Sequence, residues 1–293
     1  MHSCDDDVLA DHGQDLRLPI RQATVAAGEL TAVAAGALII SRGTIINRGD
    51  GRPYQVATDV FSAAAGPISL PVVALEAGAG GVTLPGTAMS AQGVTELTDL
   101  VVGASGLVGG ADAESFASYR SRLAFFKAFR PGHARPSDYV IWASEVSGVS
   151  RVFVERKPYG PGTVRVYPLF DGIYENGIAP PGEIARVKSH LEVAGASGVA
   201  DIIVAAPTAL PVPVTLAGLA PNQLAVRNAI ELELAAVFAR RARVAGADPG
   251  HPAMPFLATA QSFSRSWVGQ AAANAGGEDR HVLNLPADDV AVP

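Results

Sequence analysis

A chain of 293 residues is long enough for two or three domains, and a hydrophobic content of 48% supplies apolar surface for real cores, so a wholly disordered chain is excluded. The formal net charge of −6, with no dense run of Lys and Arg, argues against a general nucleic-acid surface, because binding a phosphate backbone needs clustered basic groups. Charged residues make up only 17% and aromatics 6%, while 31 Gly and 21 Pro imply many short elements separated by turns.

The N-terminal MHSCDDDVLADHGQ is acidic and lacks the basic and apolar regions of a secretory signal, which fits a cytoplasmic origin. Cys4 is the sole cysteine, so no internal disulfide is available. The apolar stretch from Val25 to Ile40 is interrupted by Glu29 and is too short to span a membrane. It reads as buried strand. From about residue 20 to 105 short β-prone pieces alternate with Gly and Pro: TIIN at 44–47, YQVA at 54–57, ISLPVVAL at 68–75 and GVTL at 81–84. Asp50-Gly51-Arg52-Pro53 supplies a hairpin turn between the strands ending near Ile46 and starting at Tyr54.

After Gly110 the period changes. Phe116, Tyr119, Leu123 and Phe126 recur at helical spacing, predicting a helix over 113–129 with Asp112 as N-cap, Glu114 in the first turn and Pro131-Gly132 at its end. Ser137 is the expected cap of a second helix, 138–147, in which Tyr139, Trp142, Ala143 and Val146 share a face and Gly148 takes the left-handed C-terminal position. SRVFVERK, the turn PYGPG and TVRVYPL then read as a hairpin, followed by a helix over 181–194 and a strand over 199–206. The apolar run 199–220 is broken as a membrane helix by Asp201, Pro207, Pro211 and Pro213.

Val212-Pro213-Val214 opens another strand, and Ala225, Ile230, Leu234 and Val237 mark a long helix whose C-terminal turn carries Arg240 and Arg241, with Arg243 beyond. A short helix near 255–263, then Ser266-Trp267-Val268 and a strand at 281–285, would repeat the earlier helix-then-hairpin order as a degenerate duplication. The expected fold class is α+β: a β-rich N-terminal region, a helical segment, and small mixed α/β subdomains. The expected divisions are 1–57, 58–108, 109–210 and 211–293.

Catalytic readings are weak. LVVGASGLVGG at 100–110 resembles the dinucleotide-binding loop of short-chain dehydrogenases, but an acidic residue ending a second strand some 20 residues on is missing, and FFKAFRPG stands there instead. The Tyr-x-x-x-Lys pair of such enzymes is absent as well: Tyr119, Tyr139, Tyr159 and Tyr167 are followed four places on by Leu123, Ala143, Thr163 and Asp171. Histidines 2, 12, 133, 190, 251 and 281 stand singly, never at the spacing that brings two imidazoles to one metal, and no Gly-Lys-Ser or Gly-Lys-Thr phosphate loop occurs. Asp112, Glu114, Asp138 and Glu145 could pair for acid–base chemistry, but helix-terminal roles account for the first three. No cofactor, metal or catalytic residue is expected.

Taken in order, GGADAESFASYRSRL, PGHARPSDYVIWASEVSGVSRVFV and GPGTVRVYPLF are similar to the baseplate J-like family of contractile-tail proteins. The family's Gly-Gly-Ala-Asp-x-Glu-Ser start falls on Gly109, Gly110, Ala111, Asp112, Glu114 and Ser115, followed by Tyr119, Arg120, Arg122 and Leu123. Its Asp-Tyr to Gly-Val stretch falls on Asp138, Tyr139, Trp142, Ala143, Gly148 and Val149. RLPIRQATVAAG, Arg42-Gly43-Thr44, Asp50-Gly51 and Tyr54 resemble its arm region. The chain departs from the family in lacking an N-terminal helical segment before that arm and in stopping short of a closing C-terminal strand.

The resemblance implies a non-catalytic baseplate wedge subunit, made in the host cytoplasm and placed in the tail baseplate of the virion or of a related injection system. Implied partners are a second copy of itself as a wedge dimer within a six-fold ring, a second wedge protein, and the inner baseplate, sheath-initiator and hub proteins. Nucleic acid and membrane insertion are not implied. Arg120, Arg122, Lys127 and Arg130 are the candidate interface residues. Competing readings are an NAD(P)-binding enzyme built on the 100–110 loop and a host-binding fibre or adhesin module.

Overall fold

The computed structural model describes residues 5–132, 134–195 and 200–292. Cys4, His2, His133 and Val199, the first residue of the strand expected at 199–206, lie outside the described residues.

The first element is a helix, α1 (Asp6–Asp15), so a helical segment does stand before the arm region, contrary to the expectation from the sequence. Its acidic start suits the positive end of a helix dipole, and it is held by Leu9, fully buried against Tyr119 and Leu123. Strands β1 (Val25–Ala34), β2 (Leu38–Ile40), β3 (Ile45–Arg48), β4 (Pro53–Val56), β5 (Val60–Ser62), β6 (Gly66–Ala77), β7 (Met89–Ala91) and β8 (Leu97–Val102) follow. Six of them form one sheet in the order β7-β3-β4-β6-β1-β8, with each neighbouring pair antiparallel.

Alternation fixes which way the strands face: Ala26, Leu30, Ala32 and Ala34 of β1 and Leu70, Val72 and Ala74 of β6 point into a shared core with Ile46, Tyr54, Val56 and Leu107. The sheet curls until its ends meet. Ala88 bridges Val101, and Val102 N–H donates to Thr87 O at 2.9 Å, so the structure is a nearly closed barrel. The division expected after residue 57 therefore runs between β4 and β6 of one sheet. The hairpin at Asp50-Gly51 is present, with Ile46 opposite Tyr54. GVTL at 81–84 is not a strand: Ala79–Gly81 is a 3-10 turn, and Thr83 makes only an isolated bridge to Leu107, while the buried Tyr54 hydroxyl donates to Gly81 O at 2.8 Å.

The middle unit holds α2 (Phe116–Ala128), α3 (Pro136–Glu145), β9 (Arg151–Arg156), β10 (Thr163–Leu169), α4 (Pro181–Ala194) and β11 (Asp201–Val204). The expected hairpin, third helix and following strand are all here. β9 and β10 pair antiparallel from Val164–Arg156 to Leu169–Arg151, and β10 pairs with β11 in parallel across the α4 connection. Tyr139, Val140 and Ala143 from α3 and Val187 and Leu191 from α4 cover Val152, Val154, Val164 and Val166 of the sheet.

The last unit holds β12 (Thr215–Ala220), α5 (Leu224–Arg241), β13 (Gln261–Phe263), α6 (Arg265–Ala273), β14 (Arg280–Leu285) and β15 (Val290–Val292). β12 pairs with β14 and β13 with β15, both antiparallel. The strand expected to open at Val212 begins at Thr215, beyond Pro213. The helix expected at 255–263 is a turn followed by β13, and Ser266-Trp267-Val268 lie inside α6, which is capped by Ser264. The middle unit runs α-α-β-β-α-β and the last β-α-β-α-β-β, but the two strands after α6 do not pair with each other, β14 joining β12 and β15 joining β13, so the helix-then-hairpin motif does not recur. Between α5 and β13 the chain returns to the middle sheet: Val154 N–H donates to Phe256 O (3.0 Å) and Ala258 N–H to Val154 O (2.8 Å). Residues 244–258 are a strap along the outer side of β9. Among the described residues no helix is long and apolar enough to cross a membrane.

Candidate functional site

The segment 109–114 leaves the barrel and enters the middle unit, and it is bound to both. Thr24, just before β1, exchanges backbone hydrogen bonds with Ala111 (2.9 and 3.3 Å), and its hydroxyl donates to Gly109 O at 2.6 Å. Gly109 has φ +86°, a left-handed conformation that favours glycine, and this turns its N–H toward Glu183 Oε1 at 2.8 Å. At Gly110 a Cβ would stand 2.7 Å from Gly78 O, so two backbones approach where only glycine fits.

Glu114 is the centre of the joint. Its carboxylate, 2% exposed, accepts four hydrogen bonds: Arg21 N (3.1 Å), Arg21 Nη2 (3.1 Å), Arg122 Nε (2.9 Å) and Arg122 Nη2 (2.6 Å). The same Arg21 donates through Nη1 to the carbonyls of Ser144, Val146 and Val149 at the end of α3, and Arg122 reaches Pro19 O at 2.9 Å. One carboxylate and two guanidinium groups therefore join the irregular segment before β1, α2 and the end of α3. Burial alone would push the Glu114 carboxyl up, but the Arg122 hydrogen bonds and the Arg21 charge outweigh it and hold the group below its ordinary value.

A second buried carboxylate, Glu183 of α4, is fully enclosed and accepts from Gly109 N, the Tyr174 hydroxyl (3.2 Å) and Arg186 Nε (2.8 Å); Arg186 in turn donates to Ser147 O at 2.6 Å. Burial first, then the Glu183 charge, push the Tyr174 hydroxyl far up, so it stays a hydrogen-bond donor at all ordinary pH. A third contact fixes the strap: Asp248, buried, pairs with Arg156 at 2.6 Å and accepts from Arg156 N at 2.9 Å, and these bonds hold its carboxyl below the ordinary range against the effect of burial. Such networks restrict relative motion, because removing one partner strands an uncompensated charge.

These contacts correct several sequence expectations. Asp112 is not the cap of α2; its Oδ1 accepts from Ala79 N at 2.9 Å, tying the segment back to the barrel, while Ser115 caps the helix by accepting from Ser118 N at 3.2 Å. Glu114 lies before the helix and forms the ion pairs above. Ser137 does not cap α3, which starts at Pro136 after Arg135; instead the buried Asp138 accepts from Arg135 N (2.9 Å) and Gly132 N (3.1 Å).

Tyr119 is buried and its hydroxyl donates to Leu18 O at 2.8 Å. Tyr139 is buried and meets the half-buried Trp142 edge-on at 5.4 Å, Val149 is buried, and Gly148 has φ +91° at the turn after α3. Of the four residues expected at an interface, Arg122 is consumed by Glu114 and Arg120 is 3.5 Å from Asp6 of α1, so both serve inside the chain; Lys127 and Arg130 are exposed. Arg21, Glu183 and Arg186 were not singled out from the sequence. Arg21 sits in the quoted RLPIRQATVAAG, but its partner is 93 residues away.

A cleft of about 210 Å³ opens beside the joint, lined by Arg21, Asp112, Glu114, Ser118, Ser150 and Asp171 among others. Its charged groups are already engaged: Arg21 with Glu114, Asp171 with Arg151 at 2.7 Å, and Asp112 with the Ala79 N–H. The 100–110 glycines are not a nucleotide loop. β8 is the last strand of an antiparallel sheet and the chain reaches no helix until Phe116, so the strand–turn–helix of a βαβ unit is absent; the helix start that packs on the turn is that of α4, where Gly182 closes against Ser105 O and the Glu183 carboxylate already takes the Gly109 N–H. Among the described residues no group of three or more His, Cys, Asp or Glu is placed to hold a metal ion.

Residues 134–216 match the baseplate J-like central domain, a stretch that runs from α3 through β11 to the start of β12. The chain carries a baseplate J-like domain. It is similar to baseplate protein gp47 of Escherichia phage Mu, 34% identical over 192 residues, covering 64% of this chain and 52% of that protein. It is also similar to the Mu-like prophage FluMu protein gp47 of Haemophilus influenzae, 30% identical over 234 residues, covering 75% of this chain and 64% of that protein. The matches thus span from about half to just under two thirds of these relatives' length. A chain in the six-fold symmetrised cryo-EM structure of the anti-feeding prophage baseplate aligns over 93% of this chain and 75% of its own length at 11% identity and a TM-score of 0.38.

Proposed function

We propose that this baseplate J-like chain is a structural, non-catalytic wedge subunit in the baseplate of a phage-type contractile tail or related injection system. The observation that carries the reading is the central domain at 134–216, welded to the barrel through Glu114 and Glu183. In this role six wedges ring a central hub, each containing this chain, a second copy of it and a second wedge protein, with contacts to the sheath initiator and hub. The work is mechanical. A subunit that relays a contraction signal must move as a body, so that displacement at one interface reaches another without being lost in an internal hinge. Buried ion networks at the junction of the barrel, α2 and α3, and the strap from the last unit, support that behaviour.

Under this proposal the divisions after residues 108 and 210 mark packed subunits of one body, with 244–258 strapping the last to the middle one. Lys127 and Arg130, exposed near the end of α2, are the candidate partner contacts. Assembly would occur in the host cytoplasm, with the product in the tail baseplate.

The test is co-expression with the proteins encoded beside it, followed by co-purification and electron microscopy. Expected are wedge or ring complexes that include this chain, weakened when Lys127 and Arg130 are both reversed to Glu. A chain that stays alone, gains thermal stability from NAD(P), or forms trimers that bind cell surfaces without a tail partner overturns the reading.

A further inference from the structure

Arg240 and Arg241 close α5, where cations suit a helix C-terminus, and Arg243 follows. That placement accounts for their charge but not for their surroundings. Arg240 and Arg241 line an open cleft of about 510 Å³ whose other wall is α6, presenting Trp267, Gln270 and Asn274. The Arg241 guanidinium lies 5.0 Å from the centre of the Trp267 ring, which holds the fork in place without consuming its donors. All three arginines are exposed, and among the described residues none of them is in an ion pair. The α5 dipole places roughly half a negative charge at this end, and three guanidinium groups outweigh it. The cleft therefore offers two donor forks and an indole wall to a carboxylate-bearing partner.

The complementary surface is on the same chain. α1, DDVLADHGQD, contains four aspartates and neither Lys nor Arg, and Asp5 precedes it. Asp6 is turned to Arg120, whereas Asp5, Asp11 and Asp15 are exposed. Among the described residues no hydrogen bond or ion pair joins α1 to the arginine cleft. We propose that the cleft between α5 and α6 of one copy receives the acidic helix α1 of the next. This deepens the wedge reading and rests on it for the setting. Because two different surfaces meet, the contact is head-to-tail, and repetition of such a contact generates a ring or an open filament rather than a closed pair.

Sedimentation of the purified full chain at about 20 mM and about 500 mM salt tests this, since exposed charge contacts are screened at the higher value. Expected is self-association at low salt that is lost at high salt. Arg240→Glu with Arg241→Glu, and separately Asp11→Lys with Asp15→Lys, each weaken it at least about tenfold. Mixing the two variants restores association, because the unaltered α1 of the first meets the unaltered cleft of the second and the Lys-bearing α1 of the second meets the Glu-bearing cleft of the first. Circular dichroism confirms that each variant is folded. A wild-type chain that is monomeric at low salt, variants that associate like wild type, or a mixture that stays unassociated overturns the proposal. A chain that fails here yet enters complexes with its tail neighbours loses this contact but keeps the wedge reading.

Discussion

Glu114→Gln isolates the joint. The substitution keeps the shape of the side chain but replaces a carboxylate that accepts four hydrogen bonds with an amide that has one accepting oxygen and turns an NH2 toward guanidinium donors. Arg21 and Arg122, 17% and 13% exposed, are then left with little to balance them. Breaking a buried pair costs about 3–5 kcal/mol, and because both arginines retain some access to water the expected loss is at the lower end, about 3 kcal/mol. That is a large share of the roughly 5–15 kcal/mol that holds most domains together.

The pH dependence sharpens the test. The Glu114 carboxyl is held below its ordinary value, so its contribution is fully present above the unfolded value of about 4.3 and is lost as pH falls through the lower folded value. Urea unfolding followed by Trp142 fluorescence, in a Trp267→Phe background, should show wild type and variant separated at pH 7 and converging as pH falls below about 4. A gap under about 0.5 kcal/mol at pH 7, or one that persists unchanged in acid, would refute the reasoning.

Glu183→Gln should cost about 2–3 kcal/mol by the same unfolding assay, since Gly109 N–H, the Tyr174 hydroxyl and Arg186 share that carboxylate. Gly110→Ala forces a Cβ to 2.7 Å from Gly78 O and should lower stability by about 1–3 kcal/mol, read as a drop in Tm. Asp248→Asn should loosen the 244–258 strap, so that amide exchange at Ala258 quickens while exchange in the barrel is unchanged. Reversing Lys127 and Arg130, both exposed, should alter stability by less than about 0.5 kcal/mol while weakening co-purification with the neighbouring tail proteins.

The middle unit was the most legible part of the sequence because its signals are local. Pro181 and the spacing of Val187 and Leu191 place α4 over 181–194, and alternation with the PYGPG turn gives β9 and β10. Where local rules failed, a tertiary contact had taken the residue. Asp112 and Ser137 stand where caps stand, but Asp112 is drawn to Ala79 and Asp138, three positions beyond the α3 cap, serves the start of that helix. α1 leaves no periodic signal, because Leu9 anchors it almost alone among polar residues. Residues 255–263 look helical by composition but are held extended by Val154, a residue about 100 positions earlier. The pairing of β1 with β8, where Leu30 faces Val102, and the Arg21–Glu114 pair, 93 positions apart, join distant parts of the chain, so no local pattern predicts them, and the joint is a product of packing.

The most direct measurement is a cryo-EM reconstruction of the intact tail particle that encodes this chain. The account predicts this chain in a six-fold ring around the hub, with the barrel and the 134–216 domain fitting the density as one rigid body. Its absence from the baseplate, or a position only at the tips of host-binding fibres, would contradict it.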